Sequence, residues 1–491
     1  MQKKYEMDSD KNNLWDEDSQ YIQDLVNRFE DMLKNNKFSY FDIDELNCLI
    51  EYYIDNDDVK KVNIIADFAA DIYSDDPIIQ LIKAKKCYAN NDVKGALRLL
   101  NDPTLDKDNA DYLITLGACY SDLGNNEKAI SAYKKALYYF EPDERYEVQS
   151  LIACEYHNTG NIEKALQYYL KAVKNDPYPE DQFFDIRNCY LELGKENDAI
   201  DFFTEQIDKN PYSVEAWCAL ALCHSKKQEF EKMTECFEYA LAIDSHCTNT
   251  YNDMAAIYNF NSMFGNTIDT VNEAVNNGIE TPQLYCMMAE AQNKSGLVED
   301  AMKSFEKAFS IDPSFSAAYA GKGFILIRKS NLKEAYLYLK TAHNLEPDNT
   351  IFLFTIIDLL IQLNDSKHLI KYLIKAEQIA PYNDVIFAIM MEYYLNRDDY
   401  EESFNAVSRG IISNPDSGLL HYRMAILYLI QREDNIGMMY LEKALQLDFE
   451  GHVNFLEFLD NIKMDNKQMI YDLIEEYKIK NNKQNNYESI F

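Results

Sequence analysis

Residues 181–211, DQFFDIRNCYLELGKENDAIDFFTEQIDKNP, decide the fold. Apolar side chains recur there at three- and four-residue spacing in two runs: Phe183, Ile186 and Tyr190, then Ile200, Phe203 and Ile207. This spacing predicts two helices. Gly194 lies between the runs, where a helix end needs a residue that tolerates left-handed backbone. Pro211 closes the second run, so the stretch is predicted to form a helical hairpin.

The same pattern returns along the chain with a period close to 34 residues. One column of small residues is Ala129, Ala165, Ala199, Ala301 and Ala335, and a second is Ala136, Ala172, Ala240, Ala274, Ala308, Ala342, Ala376 and Ala444. Proline, glycine and aromatic columns share the period, and the aromatic one is Phe183, Trp217, Tyr251, Tyr285, Tyr319 and Phe387. Alanine is expected where helices approach closely, and the aromatic residues, Trp217 and Tyr251 among them, are expected to pack between hairpins.

This pattern resembles the tetratricopeptide repeat family. In the unit that begins at Ala110, the family columns are matched in order by Leu116, Gly117, Tyr120, Gly124, Ala129, Tyr133 and Ala136. The resemblance implies an all-α fold, a right-handed superhelical solenoid of about 12 helix-turn-helix repeats. The sequence departs from the first alanine column at Met233, Thr267, Leu369, Ser403 and Gly437, and from the second at Gln206 and Gly410.

The repeat array is expected to cover residues 43–451. Residues 1–15 are interpreted as a disordered acidic arm and residues 16–42 as an N-terminal capping helix. Residues 452–480 are expected to form a C-terminal capping hairpin that covers the last apolar face, followed by a flexible tail over 481–491.

The composition of the chain restricts the classes of partner that it can bind. The chain has 83 acidic and 48 basic side chains, a formal charge of −35, which disfavours nucleic acid and anionic membranes. Neither a secretory signal nor a membrane-spanning run is expected, which favours a cytoplasmic location, and the ten cysteines are expected to be reduced. The oligomeric state stays open.

Motifs that would indicate catalysis are not found in the sequence. It has no phosphate-binding glycine loop, no HExxH and no Gly-x-Ser-x-Gly. Cys218, Cys223, His224 and Cys236 lack the close pairing of zinc ligands and are interpreted as packing residues. We therefore expect no catalytic residues, no cofactor and no metal site.

The resemblance implies that the first helix of each hairpin lines a concave groove for partner proteins or peptides. The groove residues are expected to be Phe184, Asp185, Asn252, Asp253, Glu290, Phe324, Phe354, Asp358, Glu392 and Tyr422. Its carboxylates favour a partner with basic segments. The leading hypothesis is a non-catalytic scaffold or adaptor. The alternative is a ligand-responsive regulator of the peptide-sensing phosphatase or transcription-regulator type.

Overall fold

The computed structural model describes residues 9–35, 38–74, 76–460 and 467–488. These residues form 27 α-helices and no β-strand. They divide into two compact units, 1–250 and 251–491, which are described separately. The all-α repeat fold expected from the sequence is confirmed.

The helices of the first unit alternate as first and second members of hairpins from α2 onward. They are α1 (Ser9–Asn35), α2 (Ile43–Asp55), α3 (Val59–Ile72), α4 (Ile78–Ala89), α5 (Val93–Leu100), α6 (Ala110–Asp122), α7 (Asn126–Ala136), α8 (Tyr146–Asn158), α9 (Ile162–Ala172), α10 (Phe183–Glu192), α11 (Glu196–Lys209), α12 (Val214–Lys226) and α13 (Phe230–Ile243).

The second unit continues the alternation. Its helices are α14 (Thr248–Phe260), α15 (Phe264–Asn276), α16 (Pro282–Lys294), α17 (Val298–Ile311), α18 (Ser316–Arg328), α19 (Leu332–Leu345), α20 (Thr350–Gln362), α21 (Ser366–Ile379), α22 (Asp384–Leu395), α23 (Tyr400–Ser413), α24 (Gly418–Ile430), α25 (Asp434–Leu447), α26 (His452–Asp460) and α27 (Gln468–Glu488). The twelve pairs from α2–α3 to α24–α25 are the expected repeats, including those that depart from the alanine columns.

The turn inside each hairpin has left-handed backbone, whether or not the residue there is glycine. Gly194 has φ +65° at this turn, as the sequence predicts, and the equivalent Ser330, one of several non-glycine residues there, has φ +59°. The strain of a left-handed non-glycine residue is about 1–2 kcal/mol, and the packing of neighbouring hairpins offsets it. Side-chain caps such as Asn161, which accepts a hydrogen bond from the Lys164 N–H, then start the second helix.

The alanine columns lie in the core, and every member of both has no exposed surface. Where glycine replaces alanine the helices are equally close. A Cβ at Gly437 would lie 2.7 Å from Leu429 Cγ, and one at Gly410 would lie 2.7 Å from Phe387 Cγ. These small residues therefore mark close helix contacts. In the aromatic column Tyr251 is fully buried, whereas Trp217 is only half-buried.

Both ends of the array are covered by further helices. Leu25, Val26 and Phe29 of α1 are buried against α2 and α3, and α26 and α27 bury Phe455 and Ile470 against the last hairpin. Helix α1 begins at Ser9, within the segment 1–15 expected to be disordered, whose residues 1–8 lie outside the described part. Helix α27 runs to Glu488, within the expected tail.

Candidate functional site

The candidate groove residues fall into columns on the first helices of the second unit. Glu290 of α16, Phe324 of α18, Asp358 of α20 and Glu392 of α22 are each 34 residues apart. They therefore occupy equivalent positions in four successive hairpins. Glu290 and Asp358 are exposed, and Phe324 and Glu392 are half-buried, so this column, which we call the acidic column, is open to solvent.

Two carboxylates of the acidic column lack an ion-pair partner. Glu290 and Asp358 form no ion pair with any residue that the structure describes. Desolvation by the surrounding protein raises the pKa of Glu290, which Lys294 opposes, and desolvation alone raises the pKa of Asp358. A raised carboxyl pKa means that the charged form is poorly solvated. A cation beside either group would relieve that cost.

Apolar surface accompanies these charges. The rings of Phe324 and Phe354 are half-buried and pack against the core that contains Leu353 and Ile356. Each ring thus has a rigid backing and an accessible remainder. Such partly exposed aromatic side chains are the residue type that anchors protein partners.

Glu392 is already paired, unlike the other two carboxylates of its column. Its Oε1 lies 2.7 Å from Nη2 of Arg423 on α24, and the Arg423 guanidinium lies 4.6 Å from the ring centroid of Phe458 on α26. Burial lowers the pKa of Arg423, which Glu392 opposes, and Arg423 Nε is buried without a hydrogen-bond partner. The last carboxylate of the acidic column is therefore neutralised by an arginine of this chain.

The prediction for Tyr422 is wrong. The sequence predicts that it lines the groove, but only 3% of it is exposed, and its hydroxyl donates a hydrogen bond of 2.7 Å to the carbonyl of Asp448. The ring packs on Phe455 of α26 at 5.3 Å between centroids. Tyr422 therefore belongs to the packing between the last hairpin and the helix that covers it.

The other expected groove residues lie outside the acidic column. In the second unit Asn252 is half-buried with its Oδ1 buried and unpartnered, and Asp253 is half-buried. In the first unit Phe184 is exposed, with the Arg187 guanidinium 4.7 Å from its ring centroid. Asp185 is half-buried beside Tyr169, whose pKa is raised by burial and by this carboxylate.

A cavity of about 490 Å³ adjoins the paired end of the acidic column. Its lining residues come from the α20–α21 hairpin, from α22 and from the turn after α22: Leu360, Ile361, Asn364, Ser366, Leu369, Ile389, Glu392, Tyr393, Asn396 and Arg397. The Arg397 guanidinium lies 3.8 Å from the Tyr393 ring centroid and donates to Ser366 Oγ at 2.8 Å. The sequence pattern does not reveal this cavity, because its lining combines packing residues with turn residues.

No group of three or more His, Cys, Asp or Glu side chains within the described residues could hold a metal ion. None of the described helices is long and apolar enough to cross a membrane.

A family model for the tetratricopeptide repeat matches four segments: 110–142, 146–179, 214–247 and 282–315. These are the hairpins α6–α7, α8–α9, α12–α13 and α16–α17. The chain is a tetratricopeptide repeat protein. Tetratricopeptide repeats form scaffolds for protein–protein interaction, and this is the general role that they support for the chain.

Curated relatives are distant and longer than the matched region. The chain is 20% identical to anaphase-promoting complex subunit 3 of Schizosaccharomyces pombe over 274 residues, 56% of this chain and 36% of that protein. It is 22% identical to human protein O-mannosyl-transferase TMTC1 over 243 residues, 49% of this chain and 23% of that protein. The chain thus spans about a third or less of these two relatives.

A crystal structure of a tetratricopeptide repeat protein from Parabacteroides merdae also matches. It has a TM-score of 0.37 and 18% identity, and the match covers 51% of this chain and 98% of that chain.

Proposed function

We propose that this tetratricopeptide repeat protein is a non-catalytic scaffold or adaptor that binds an extended partner segment along the acidic column. The segment carries Lys or Arg side chains that pair with Glu290 and Asp358, and an apolar side chain between them that rests on Phe324. The observation that carries the proposal is the order of carboxylate, aromatic ring and carboxylate at one repeat position in three successive hairpins.

The repeat geometry sets the spacing of the contact side chains along the partner segment. Packed helices lie roughly 8–10 Å apart, so equivalent positions on neighbouring first helices are separated by about that distance. An extended chain advances about 3.3 Å per residue. One guest side chain per hairpin therefore requires one contact about every three residues, in the order basic, apolar, basic.

Charge and apolar contact have different roles in this proposal. Exposed ion pairs contribute only about 0.2–1 kcal/mol each and weaken as salt rises. Glu290 and Asp358 consequently steer the segment and fix its register. Most of the affinity comes from burying the accessible parts of Phe324 and Phe354.

The test uses fluorescein-labelled peptides in which Lys and Leu alternate at spacings of two to five residues. Fluorescence anisotropy is expected to give the tightest binding at a spacing of three. Replacing both carboxylates, Glu290→Gln with Asp358→Asn, weakens binding about fivefold, from two pairs of roughly 0.5 kcal/mol each. Phe324→Ala is expected to weaken it more.

A matched control removes two carboxylates elsewhere in the same unit. Asp269 and Glu273 are exposed on the second helix α15, so Asp269→Asn with Glu273→Gln changes the net charge equally without touching the acidic column. Equal weakening by the two double variants would contradict site-specific pairing. Binding that strengthens with salt would refute the electrostatic contribution.

A further inference from the structure

We propose that the first unit carries a second docking surface, of opposite charge preference, that binds a short acidic peptide segment. We call it the lysine–tyrosine surface. It consists of Lys134 of α7, Lys164 and Lys171 of α9, and the rings of Tyr156 and Tyr168. It does not rest on the acidic column, which lies in the other unit.

The ammonium groups of all three lysines contact the two tyrosine rings. Tyr156 and Tyr168 stack with centroids 5.6 Å apart. Lys134 Nζ donates a hydrogen bond of 2.7 Å to the Tyr156 hydroxyl and lies 5.7 Å from the Tyr168 centroid. Lys164 Nζ lies 5.2 Å from the Tyr156 centroid, and Lys171 Nζ lies 4.5 Å from that of Tyr168. Three cations therefore converge on one aromatic pair from two successive hairpins.

These lysines lack ion-pair partners. None of the three forms an ion pair with any residue of the described ranges, although acidic side chains outnumber basic ones by 83 to 48. Some other lysines are paired, as between Lys307 and Glu280 at 2.8 Å or between Lys322 and Glu306 at 2.6 Å. Contacts with an aromatic ring contribute only modestly at an exposed site and leave N–H donors free for an anion.

A recess of mixed polarity adjoins the lysines. A cavity of about 350 Å³ shares Lys134 as a lining residue and is also lined by Glu127, Ile130, Ser131, Lys135 and Tyr138. Tyr138 is 84% exposed, so its ring is available to a partner. An aromatic side chain of the peptide would rest on Ile130 and Tyr138, and its carboxylates would lie on the lysines, away from Glu127.

The extent of the charge argues for a short peptide and against nucleic acid. The following second helix, α11, has five acidic residues and one basic residue. A nucleic acid strand that ran on from the lysines would meet this acidic helix, and the chain as a whole repels polyanions. A short acidic segment covers the lysines and stops before α11.

The test is the binding of a fluorescein-labelled peptide, three repeats of Glu-Asp-Tyr, to the full chain by anisotropy. We expect binding that weakens with salt and falls about tenfold in the variant with Lys134→Gln, Lys164→Gln and Lys171→Gln. The control replaces Lys333, Lys340 and Lys371 of α19 and α21 by Gln. These control lysines are exposed and form no described ion pair, and this variant is expected to bind as the wild type does.

Several results would overturn the proposal. They are no binding of the acidic peptide, equal loss in the control variant, and tighter binding of an oligothymidylate strand than of the peptide. Self-association at low salt that the triple lysine variant abolishes would assign the surface to a second copy of this acidic chain and would also overturn it. Circular dichroism confirms that both variants fold, and retained binding of the Lys-Leu peptide separates this result from the acidic column.

Discussion

Two aromatic residues of one hairpin provide a quantitative test of the packing. Phe237 of α13 has no exposed surface, whereas Trp217 of α12 is half-buried. The Trp217 ring stacks on Tyr239 with centroids 4.7 Å apart, and its Nε1–H donates to the Pro211 carbonyl at 3.0 Å. Truncating each to alanine therefore removes different interactions from the same repeat.

The expected costs follow from these contacts. Phe237→Ala leaves a cavity in a closed core and should cost about 3–5 kcal/mol. Trp217→Ala loses an aromatic stack, about 0.5–1.5 kcal/mol, and a hydrogen bond, about 0.5–1.5 kcal/mol. The buried half of the ring adds about 1 kcal/mol, so the cost of Trp217→Ala is about 2–4 kcal/mol, below that of Phe237→Ala. Tyr212→Ala is the control, because Tyr212 is 78% exposed and its loss should change stability by less than about 0.5 kcal/mol.

Urea denaturation measures the loss of stability in each variant. Hydrogen exchange with mass spectrometry shows which helices are affected. Because a repeat contacts mainly its neighbours, exchange should rise in helices α10 to α13 of the first unit and stay unchanged in α2 to α5. Equal losses for Phe237→Ala and Trp217→Ala would refute the burial argument. A uniform rise in exchange from α2 to α13 would refute the nearest-neighbour account.

Three further outcomes are expected. Gly117→Ala should destabilise the chain by about 1–3 kcal/mol in urea denaturation, because the new Cβ would lie 2.3 Å from a tyrosine ring of α7, whereas Gly265→Ala, which meets nothing within 4 Å, should not. Binding of the Lys-Leu peptide should weaken in titration calorimetry as pH falls through the raised pKa values of Glu290 and Asp358, above their ordinary 4.5 and 3.8, because a protonated carboxyl forms no ion pair. Over the same fall in pH the stability of the unliganded wild type should rise relative to that of the Glu290→Gln, Asp358→Asn variant, because protonation removes the cost of burying these two charges. Arg423→Gln should release its carboxylate partner and tighten peptide binding a few-fold in anisotropy while lowering stability, and unchanged affinity would show that this carboxylate lies outside the site.

The hairpins were predictable from the sequence because their determinants are local and repeated. The fixed spacing of Ala308, Ala342 and Ala376 places a small residue at each close helix contact, and all three are fully buried. The spacing also identified weak repeats such as the one with Ser403, which is buried and donates its hydroxyl to the Asp399 carbonyl at 2.9 Å.

The fine structure of the binding surfaces was less predictable because it depends on neighbours beyond the repeat. Tyr422 occupies a groove position in the repeat, but α26 follows the last hairpin and covers it. The ion pair between Arg423 and Glu392 depends on side-chain directions across two hairpins, which the repeat pattern does not specify. Lys134 meets Tyr156 only because adjacent hairpins stack, which a search for packing columns does not detect.

The location of the bound peptide is the most direct test of the proposed scaffold function. A photoreactive benzoylphenylalanine replaces the central leucine of the Lys-Leu peptide, and mass spectrometry identifies the cross-linked residues of the chain. The acidic column predicts cross-links to α18 and α20, around Phe324 and Phe354, that decrease at a fixed subsaturating peptide concentration with Glu290→Gln and Asp358→Asn. Cross-links confined to the second helices α17, α19 and α21 would contradict it.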